Sequence, residues 1–196
     1  MCRGAGQKLF LKGERCNTAK CAISRRSYRA GQHGQSRQKV SEYGLRLHEK
    51  QKVRRTYGLL EKQFRGYYAK ALHLKGVTGD QMLQMLERRL DNVVYRLGMA
   101  ASRSQARQFV SHGHIQVDGK RVNIPSYLLR SGQNVKVADK SVDFIKNHIL
   151  GGQRANPPEW LSADLDKLTG QVLSLPQRSQ IDAQFKEALV IEFYAR

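Results

Sequence analysis

Residues 86–137 read LERRLDNVVYRLGMAASRSQARQFVSHGHIQVDGKRVNIPSYLLRSGQNVKV. Just upstream, Thr78 and Gln81 form a capping-box pattern, in which two side chains satisfy free backbone donors in the first turn of a helix. We therefore predict a helix that begins near Gly79 and ends at Gly98, because glycine commonly terminates a helix. Its apolar face repeats every three or four residues and consists of Leu83, Leu86, Leu90, Val93 or Val94, and Leu97.

A second helix follows, because Ser102 and Gln105 repeat the capping-box pattern and Gly113 marks an end. Beyond it, residues 114–117 and 120–124 alternate apolar and polar side chains around Asp118-Gly119. An Asp-Gly pair between alternating segments is the strongest short-range signal for a β-hairpin. Residues 133–137 predict one further strand.

Several polar side chains should line one side of the second helix and the adjoining hairpin. Guanidinium groups suit phosphate oxygens, since two parallel hydrogen bonds add geometry to charge. An ordinary solvated helix face is the alternative for any one of these residues. The predicted RNA-binding residues of this region are Arg103, Gln105, Arg107, His112, His114, Lys120 and Arg121, with Gln108 as a further donor.

Basic residues dominate the chain and are concentrated toward its N-terminus. The 196 residues include 35 Lys and Arg against 16 Asp and Glu, a formal net charge of +19. Residues 1–60 carry 15 basic and 3 acidic side chains, residues 61–140 carry 14 and 6, and residues 141–196 carry 6 and 7. This excess predicts a polyanionic partner that meets the first two thirds of the chain.

The N-terminal half should present further cations. Residues 22–44 are basic and poor in aliphatic side chains, which predicts an arm that becomes ordered against a phosphate backbone. Residues 45–75 predict helix, divided or bent at Gly58 and Gly66. The remaining predicted RNA-binding residues are Arg25, Arg26, Arg37, Lys39, Arg46, Lys50, Lys52, Arg54, Arg55, Arg88 and Arg89.

All three cysteines lie near the start, at Cys2, Cys16 and Cys21. Clustered cysteines in a reducing compartment are candidate metal ligands, with ordinary thiols as the alternative. A tetrahedral site needs four ligands, so the fourth would be a residue upstream of Met1, His33, or nothing. No apolar run approaches membrane-spanning length, and charge follows Met1 directly, so we expect a cytoplasmic protein with no membrane partner.

The central segment resembles a known RNA-binding module. SRSQARQFVSHGHIQVDGKRVN follows the pattern Ser-Arg-x-x-Ala-x-x-x-Val/Ile and Gly-x-Ile/Val-x-Val-Asn-Gly, with Asp118 where Asn is common. The module also occurs in pseudouridine synthases, a tyrosyl-tRNA synthetase and a heat-shock protein. It therefore indicates that the protein binds RNA but not which function it has.

Longer motifs extend the resemblance over nearly the whole chain. CRGAGQKLFLKGERCNTAKC, GQHGQSRQKVSEYGLRLHEKQKVRRTYGLLEKQFRGYY and the closing ALVIEFYAR are similar to the bacterial family of the fourth protein of the small ribosomal subunit, the S-four or uS-four family. Some members carry Cys-x2-Cys-x13-Cys-x4-Cys, and Cys2, Cys16 and Cys21 match the last three positions. The resemblance therefore implies a structural zinc, or an iron–sulfur cluster. It also argues against His33 as the replacement ligand, because family members without cysteines keep the same Gln-His-Gly segment.

The family also implies an α+β fold with two domains, one mostly helical and one with two helices on a small β-sheet, the alpha-L motif. On this chain we expect a basic arm with the cysteines at 1–44, a helical domain at 45–80 with 180–196, and an RNA-binding domain at 81–179 whose module core is 86–142.

The implied function is a structural constituent of the small ribosomal subunit. Such a protein binds the 5′ domain junction of 16S ribosomal RNA, nucleates assembly and affects translational accuracy. It lines the region where messenger RNA enters the ribosome, which assigns Arg37, Lys39 and Arg46 to messenger phosphates, and it contacts neighbouring small-subunit proteins. No enzymatic activity and no small-molecule substrate are expected.

The alternative is an RNA-modifying enzyme or a ribosome-recycling factor that carries the same module. A pseudouridine synthase needs a catalytic Asp in a long dedicated domain, whereas Asp164 and Asp166 lie in a short segment without partner groups. The sequence has no P-loop, Ser-His-Asp or HExxH pattern.

Overall fold

The computed structural model describes residues 1–36, 39–149, 156–181 and 184–195. The described chain forms two compact units, one from residues 1–82 with 182–196 and one from residues 83–181. Residues 1–44 therefore share a unit with the helices that follow them. Helices and a small antiparallel sheet confirm the predicted α+β fold with two domains.

The first unit is helical. Its elements are α1 (Cys2–Ala5), a 3-10 turn (Gly13–Cys16), α2 (Ala22–Arg25), α3 (Glu42–Thr56), α4 (Glu61–Leu72) and, from the C-terminal segment, α9 (Glu187–Tyr194). Gly58 adopts a φ of 64° between α3 and α4, so the predicted break at this glycine is confirmed, whereas Gly66 lies inside α4. The basic arm contains ordered backbone, since the Arg3 guanidinium donates to the carbonyls of Tyr28 at 2.8 Å and Arg29 at 2.9 Å.

The C-terminal helix α9 packs against α3 and completes the core of the first unit. Val190 on α9 is fully buried, as are Val53 on α3 and Phe64 on α4. The rings of Tyr68 and Tyr194 stack with centroids 4.8 Å apart. The closing segment is thus a structural part of the unit and not a free tail.

The second unit begins within a helical region that is broken where the sequence predicted continuity. α5 spans Thr78–Glu87 and α6 spans Leu90–Arg96, with Arg88 and Arg89 between them. The chain around 125–129 causes the break by accepting and donating backbone hydrogen bonds. Leu90 N–H donates to Tyr127 at 2.8 Å, Asp91 N–H donates to Pro125 at 3.2 Å, and Leu129 N–H donates to Arg88 at 2.9 Å. The prediction of one helix from Gly79 to Gly98 is wrong because tertiary bonds satisfy the first free donors of α6.

The predicted second helix and hairpin are confirmed. α7 spans Arg103–Ser111, β1 Ile115–Val117, β2 Lys120–Arg121 and β3 Asn134–Val137. Asp118 and Gly119 both adopt positive φ, 49° and 78°, as a tight turn between right-twisted strands requires. The Asp118 carboxylate accepts from Asn134 N–H and from the Gln133 amide, each at 2.8 Å, and so ties the turn to β3.

Three later elements complete the second unit: α8 spans Val142–Ile149, β4 spans Leu161–Asp164 and β5 spans Thr169–Val172. The strand order of the sheet is β2-β1-β3-β5-β4, with every pair antiparallel. The core between the sheet and α6 and α7 includes Leu90, Val93, Leu97, Phe109, Ile115, Val135, Ile145 and Trp160. No helix in the described part of the chain is long and apolar enough to cross a membrane.

Candidate nucleic-acid interface

A buried polar network underlies the arginines of α6 and α7. The Glu87 side chain is only 1 % exposed and accepts hydrogen bonds from Asn92 at 2.7 Å and from the Arg96 guanidinium at 2.9 and 3.1 Å. Asn92 in turn accepts from Arg103 Nε at 2.7 Å. Because the buried Glu87 carboxylate and the buried Asn92 amide both have partners, these bonds hold the Arg103 side chain of α7 in a fixed orientation.

Arg89 forms a second buried pair, with Asp91, and does not face an outside ligand. Its guanidinium is buried and makes two hydrogen bonds to the Asp91 carboxylate, at 3.0 and 2.6 Å. Arg88 is half-buried, donates to the Leu129 carbonyl at 2.8 Å, and has a pKa lowered first by burial and then by Arg130. Arg89 is therefore removed from the predicted RNA-binding set, because it is buried and paired within the unit. The Arg88 guanidinium is already used in a hydrogen bond to the Leu129 carbonyl.

Arg103 and Arg107 are the cations that α7 presents near the surface. The Arg103 guanidinium lies 4.6 Å from the centre of the Tyr95 ring, which adds a cation–π contact to its bond with Asn92. Arg107 lies 3.7 Å from the Asp91 carboxylate while its side chain stays 41 % exposed. Both guanidinium groups are held by contacts within the unit, and the exposed part of Arg107 is open to a phosphate.

Gln105 serves the helix start. Ser102 Oγ accepts from Gln105 N–H at 3.3 Å, and Gln105 Oε1 accepts from Ala101 N–H at 2.8 Å. The predicted capping pattern is therefore confirmed, with Ala101 as the donor to the Gln105 side chain. The carbonyl of this amide is already used, which weakens the prediction of Gln105 as an RNA contact.

The hairpin carries a second group of predicted residues. Lys120 and Arg121 are both exposed, and Arg121 Nη2 donates to the His112 carbonyl at 3.0 Å. The Arg121 guanidinium lies directly over Gly113, where an added Cβ would come within 2.1 Å of Nε. The absence of a side chain at Gly113, with φ of 75°, thus allows the end of α7 and the hairpin to meet.

Histidines join this hairpin group. His112 is exposed, whereas His114 is partly buried and its Nδ1 lies 2.8 Å from Ser141 Oγ. Burial lowers the pKa of His114 below its ordinary 6.5, with smaller contributions from His112 and Arg121. Burial therefore favours the neutral form of the His114 ring.

Two predicted cations of the first unit are buried. Lys50 Nζ donates to Glu61 at 2.7 Å and lies 4.3 Å from the Phe193 ring centre, while Lys52 Nζ donates to the Gln184 carbonyl at 2.6 Å. Burial opposes ionisation of Glu61, but bonds from Lys50 and Tyr194 outweigh it and hold its pKa below 4.5. Lys50 and Lys52 are removed from the predicted set because both ammonium groups are committed within the unit.

The other predicted cations of this unit divide between paired and exposed groups. Arg46 binds Glu192 at 2.7 Å and Glu42 at 3.3 Å, and Arg54 binds the Gln51 side chain at 2.6 and 3.0 Å. The exposed side chains are Arg25, Arg26 and Lys39, with Arg55 partly exposed. Arg37 lies outside the described residues.

The cysteines share one open cavity of about 850 Å³ whose wall also includes Arg3, Arg15 and Arg55. The N–H groups of Ser24 and Ile23, at the start of α2, lower the pKa of the Cys21 thiol. Within residues 1–36, 39–149, 156–181 and 184–195, no group of three His, Cys, Asp or Glu side chains is arranged to hold a metal ion. A zinc or iron–sulfur centre at these three thiols stays a prediction.

Sequence reasoning missed the acidic and amide partners that orient the arginines: Glu87, Asp91 and Asn92. Their position in an arginine-rich helical segment was one signal for this role. An arginine that is buried there needs an acidic or polar partner nearby. Sequence reasoning also missed Phe144 of α8, which lies beside the predicted His114, and His148, which lies beside Phe144. Their spacing of four residues places both on one helix face.

Comparisons with known proteins agree with the fold. A family model described as "Ribosomal protein S4/S9 N-terminal domain" matches residues 1–87, and one described as "S4 domain" matches residues 88–135. The chain is 55% identical over 198 residues to the small ribosomal subunit protein uS4 of Pelotomaculum thermopropionicum. It is 54% identical over 198 residues to the proteins of that name from Heliobacterium modesticaldum and Magnetococcus marinus. Each alignment covers 100% of this chain and 95% of the relative.

Proposed function

Because this chain belongs to the uS4 family of small-subunit ribosomal proteins, we propose that it binds the 5′ domain junction of 16S ribosomal RNA and nucleates assembly of the subunit. The family consists of structural, non-enzymatic proteins, so the alternative of an RNA-modifying enzyme is withdrawn. Membership also places the chain in the small subunit of the ribosome, with ribosomal RNA and ribosomal proteins as partners.

The observation that carries the proposal is a set of cations on rigid elements of the second unit, of which Lys120 and Arg121 are exposed and Arg103 and Arg107 are partly exposed. Arg103 and Arg107 are anchored by the buried network, and Lys120 and Arg121 stand on a hairpin that Asp118 ties to β3. Preorganised guanidinium groups bind phosphates with little loss of side-chain entropy. Side chains cannot read the narrow major groove of A-form RNA, so recognition rests on phosphate positions and the shape of the junction.

Binding to separate transcripts of 16S RNA tests this proposal. The 5′ domain transcript should bind tightly, with affinity that falls steeply as salt rises, because each neutralised phosphate releases counterions. A transcript of the 3′ domain is the matched control. Equal affinity for the two transcripts would contradict recognition of the 5′ domain.

A role in assembly has its own test. In reconstitution of the small subunit, omission of this chain should leave particles that sediment slowly and lack later-binding proteins. Addition of the chain after the other proteins should rescue them poorly. Complete assembly without the chain would contradict a nucleating role.

We also propose that the first unit contributes to the region where messenger RNA enters the ribosome and thereby affects accuracy. The support is the exposed positive charge at Arg25, Arg26 and Lys39. Replacement of these three by Ala should change the misreading rate of a stop-codon reporter while leaving subunit yield intact. An unchanged rate would place messenger contacts elsewhere.

A further inference from the structure

Four aromatic rings form a continuous row on the surface of the second unit. From His112 to His114, Phe144 and His148, successive ring centroids lie 6.0, 5.3 and 4.4 Å apart. The buried ring of Phe109 supports the row from below, with its centroid 6.2, 6.0 and 6.2 Å from His114, Phe144 and His148. We call these four side chains, His112, His114, Phe144 and His148, the ring row.

Phe144 is the apolar member of the row and is 46 % exposed. The next residue, Ile145, is fully buried in the core and fixes the rotation of α8. The Phe144 ring is thus held at the surface by a helix whose other side is anchored, and its position is defined by the rings on both sides. A single exposed apolar ring is ordinary on a protein surface, but here the neighbouring rings of His114 and His148 extend it into a contiguous patch, which is a feature of interaction sites.

One end of the row is cationic. Arg121 donates to the carbonyl of His112, the first residue of the row, and its neighbour Lys120 is also exposed. A ring platform next to guanidinium and ammonium groups combines the two features that bind unpaired nucleotides, a stacking surface for the base and charge for the phosphate. A purely apolar protein partner would leave these charges without partners.

The histidines of the row act as rings and not as metal ligands. In the described part of the chain no three His, Cys, Asp or Glu side chains are placed to hold a metal ion. His114 Nδ1 is engaged with Ser141 Oγ at 2.8 Å, and His148 Nδ1 lies 2.8 Å from the Phe144 carbonyl. These bonds fix the ring planes, which a stacking surface requires.

We propose that the ring row stacks an unpaired base of the bound RNA, with Phe144 as the stacking face and Arg121 at the adjacent phosphate. This inference rests on the RNA-binding function proposed above and assigns it a further contact, outside the cations that the sequence pointed to. Stacking tolerates any base, so the row would recognise an unstacked nucleotide and not a particular sequence.

Three variants at one position test the contact on the 5′ domain transcript. Phe144→Ala and Phe144→Leu should weaken binding about 5- to 100-fold, the range expected for loss of one base–aromatic stack. Phe144→Tyr should retain native affinity because the ring is kept. The slope of log affinity against log salt should not change, since every cation that pairs with a phosphate is retained. Phe144→Leu keeps an apolar side chain in place, so its urea unfolding midpoint serves as the check on folding.

A second probe separates this inference from the proposed function. An unstructured RNA oligonucleotide with one 2-aminopurine should lose fluorescence on binding the native chain, and it should lose much less on binding Phe144→Leu. If the native chain binds the 5′ domain selectively and Phe144→Leu binds it with native affinity, the stacking contact is wrong while the proposed function stands. The ring row would then contact a different partner. Ring-dependent quenching without selectivity for the 5′ domain would support stacking and contradict the proposed target.

Discussion

Two sets of cations with the same residue types have opposite environments in this protein. Arg89 and Lys52 are buried, and each is held by hydrogen bonds to a carboxylate or a carbonyl of its own unit. Lys120 and Arg121 are exposed on a short hairpin. A net charge of +19 therefore overstates the charge available for RNA, since part of it is used inside the fold.

The difference has a physical origin. A buried cation must be paired, because the energy of removing it from water is recovered only through a carboxylate or several hydrogen bonds. An exposed cation keeps its hydration and can exchange it for a phosphate at little cost. Replacement of the first kind should therefore change stability, and replacement of the second kind should change binding.

The largest expected effect is on the buried set. Asp91→Ala removes the partner of Arg89 and leaves a buried guanidinium with its main ion pair broken. We expect the free energy of unfolding to fall by about 3–5 kcal/mol, as measured by urea denaturation. Asp139→Ala is the matched control, because its pair with Lys136 is exposed and is worth about 1 kcal/mol or less. Equal decreases in the two variants would show that burial does not separate the two sets.

The exposed set should respond in binding. With Lys120→Ala and Arg121→Ala combined, the slope of log affinity against log salt should become shallower by about 2, one for each phosphate that no longer has a cationic partner. Lys50→Met is the control, since its ammonium is committed to Glu61 and its removal should leave the slope unchanged. A shallower slope for Lys50→Met would mean that burial in the free protein does not prevent contact with RNA.

Gln105 and Gln108 sharpen the comparison with uncharged side chains on one helix. Gln105 Oε1 accepts from Ala101 N–H at 2.8 Å, whereas Gln108 is exposed. Gln105→Ala should lower the free energy of unfolding by about 1 kcal/mol, the usual contribution of one such bond. Gln108→Ala should leave it unchanged. The reverse order would contradict the structural role of Gln105.

The smallest expected effect concerns pH. Burial lowers the pKa of His114 below 6.5, so the unfolded chain takes up a proton at a higher pH than the folded chain does. Stability should therefore be fully present above pH 6.5 and decrease as the pH falls through the folded pKa. His114→Gln cannot take up this proton, so the decrease from about pH 7 to about pH 5.5 should be smaller in its urea denaturation curves. An identical decrease in both proteins would assign the pH dependence to other groups.

Elements that depend on local chemistry were predicted well. The Asp118-Gly119 turn, the start of α7 at Ser102 and the break at Gly58 all follow from the backbone preferences of a few neighbouring residues. The continuous helix across Arg88 and Arg89 was not realised, because the chain near 125–129 takes part in backbone bonds there. No pattern within the helix itself carries that information.

The family, the α+β class, the hairpin and the strong preference for a polyanionic partner all follow from the order of the residues. These properties rest on sequence motifs and on total charge, which need no coordinates. Only the folded structure shows which cations are exposed. Folding brings Phe144 beside His114 and sets Lys52 against Gln184, residues far apart in the sequence. Burial is a property of the assembled core, so a cation becomes a structural partner or an RNA contact only when distant segments close over it or leave it in water.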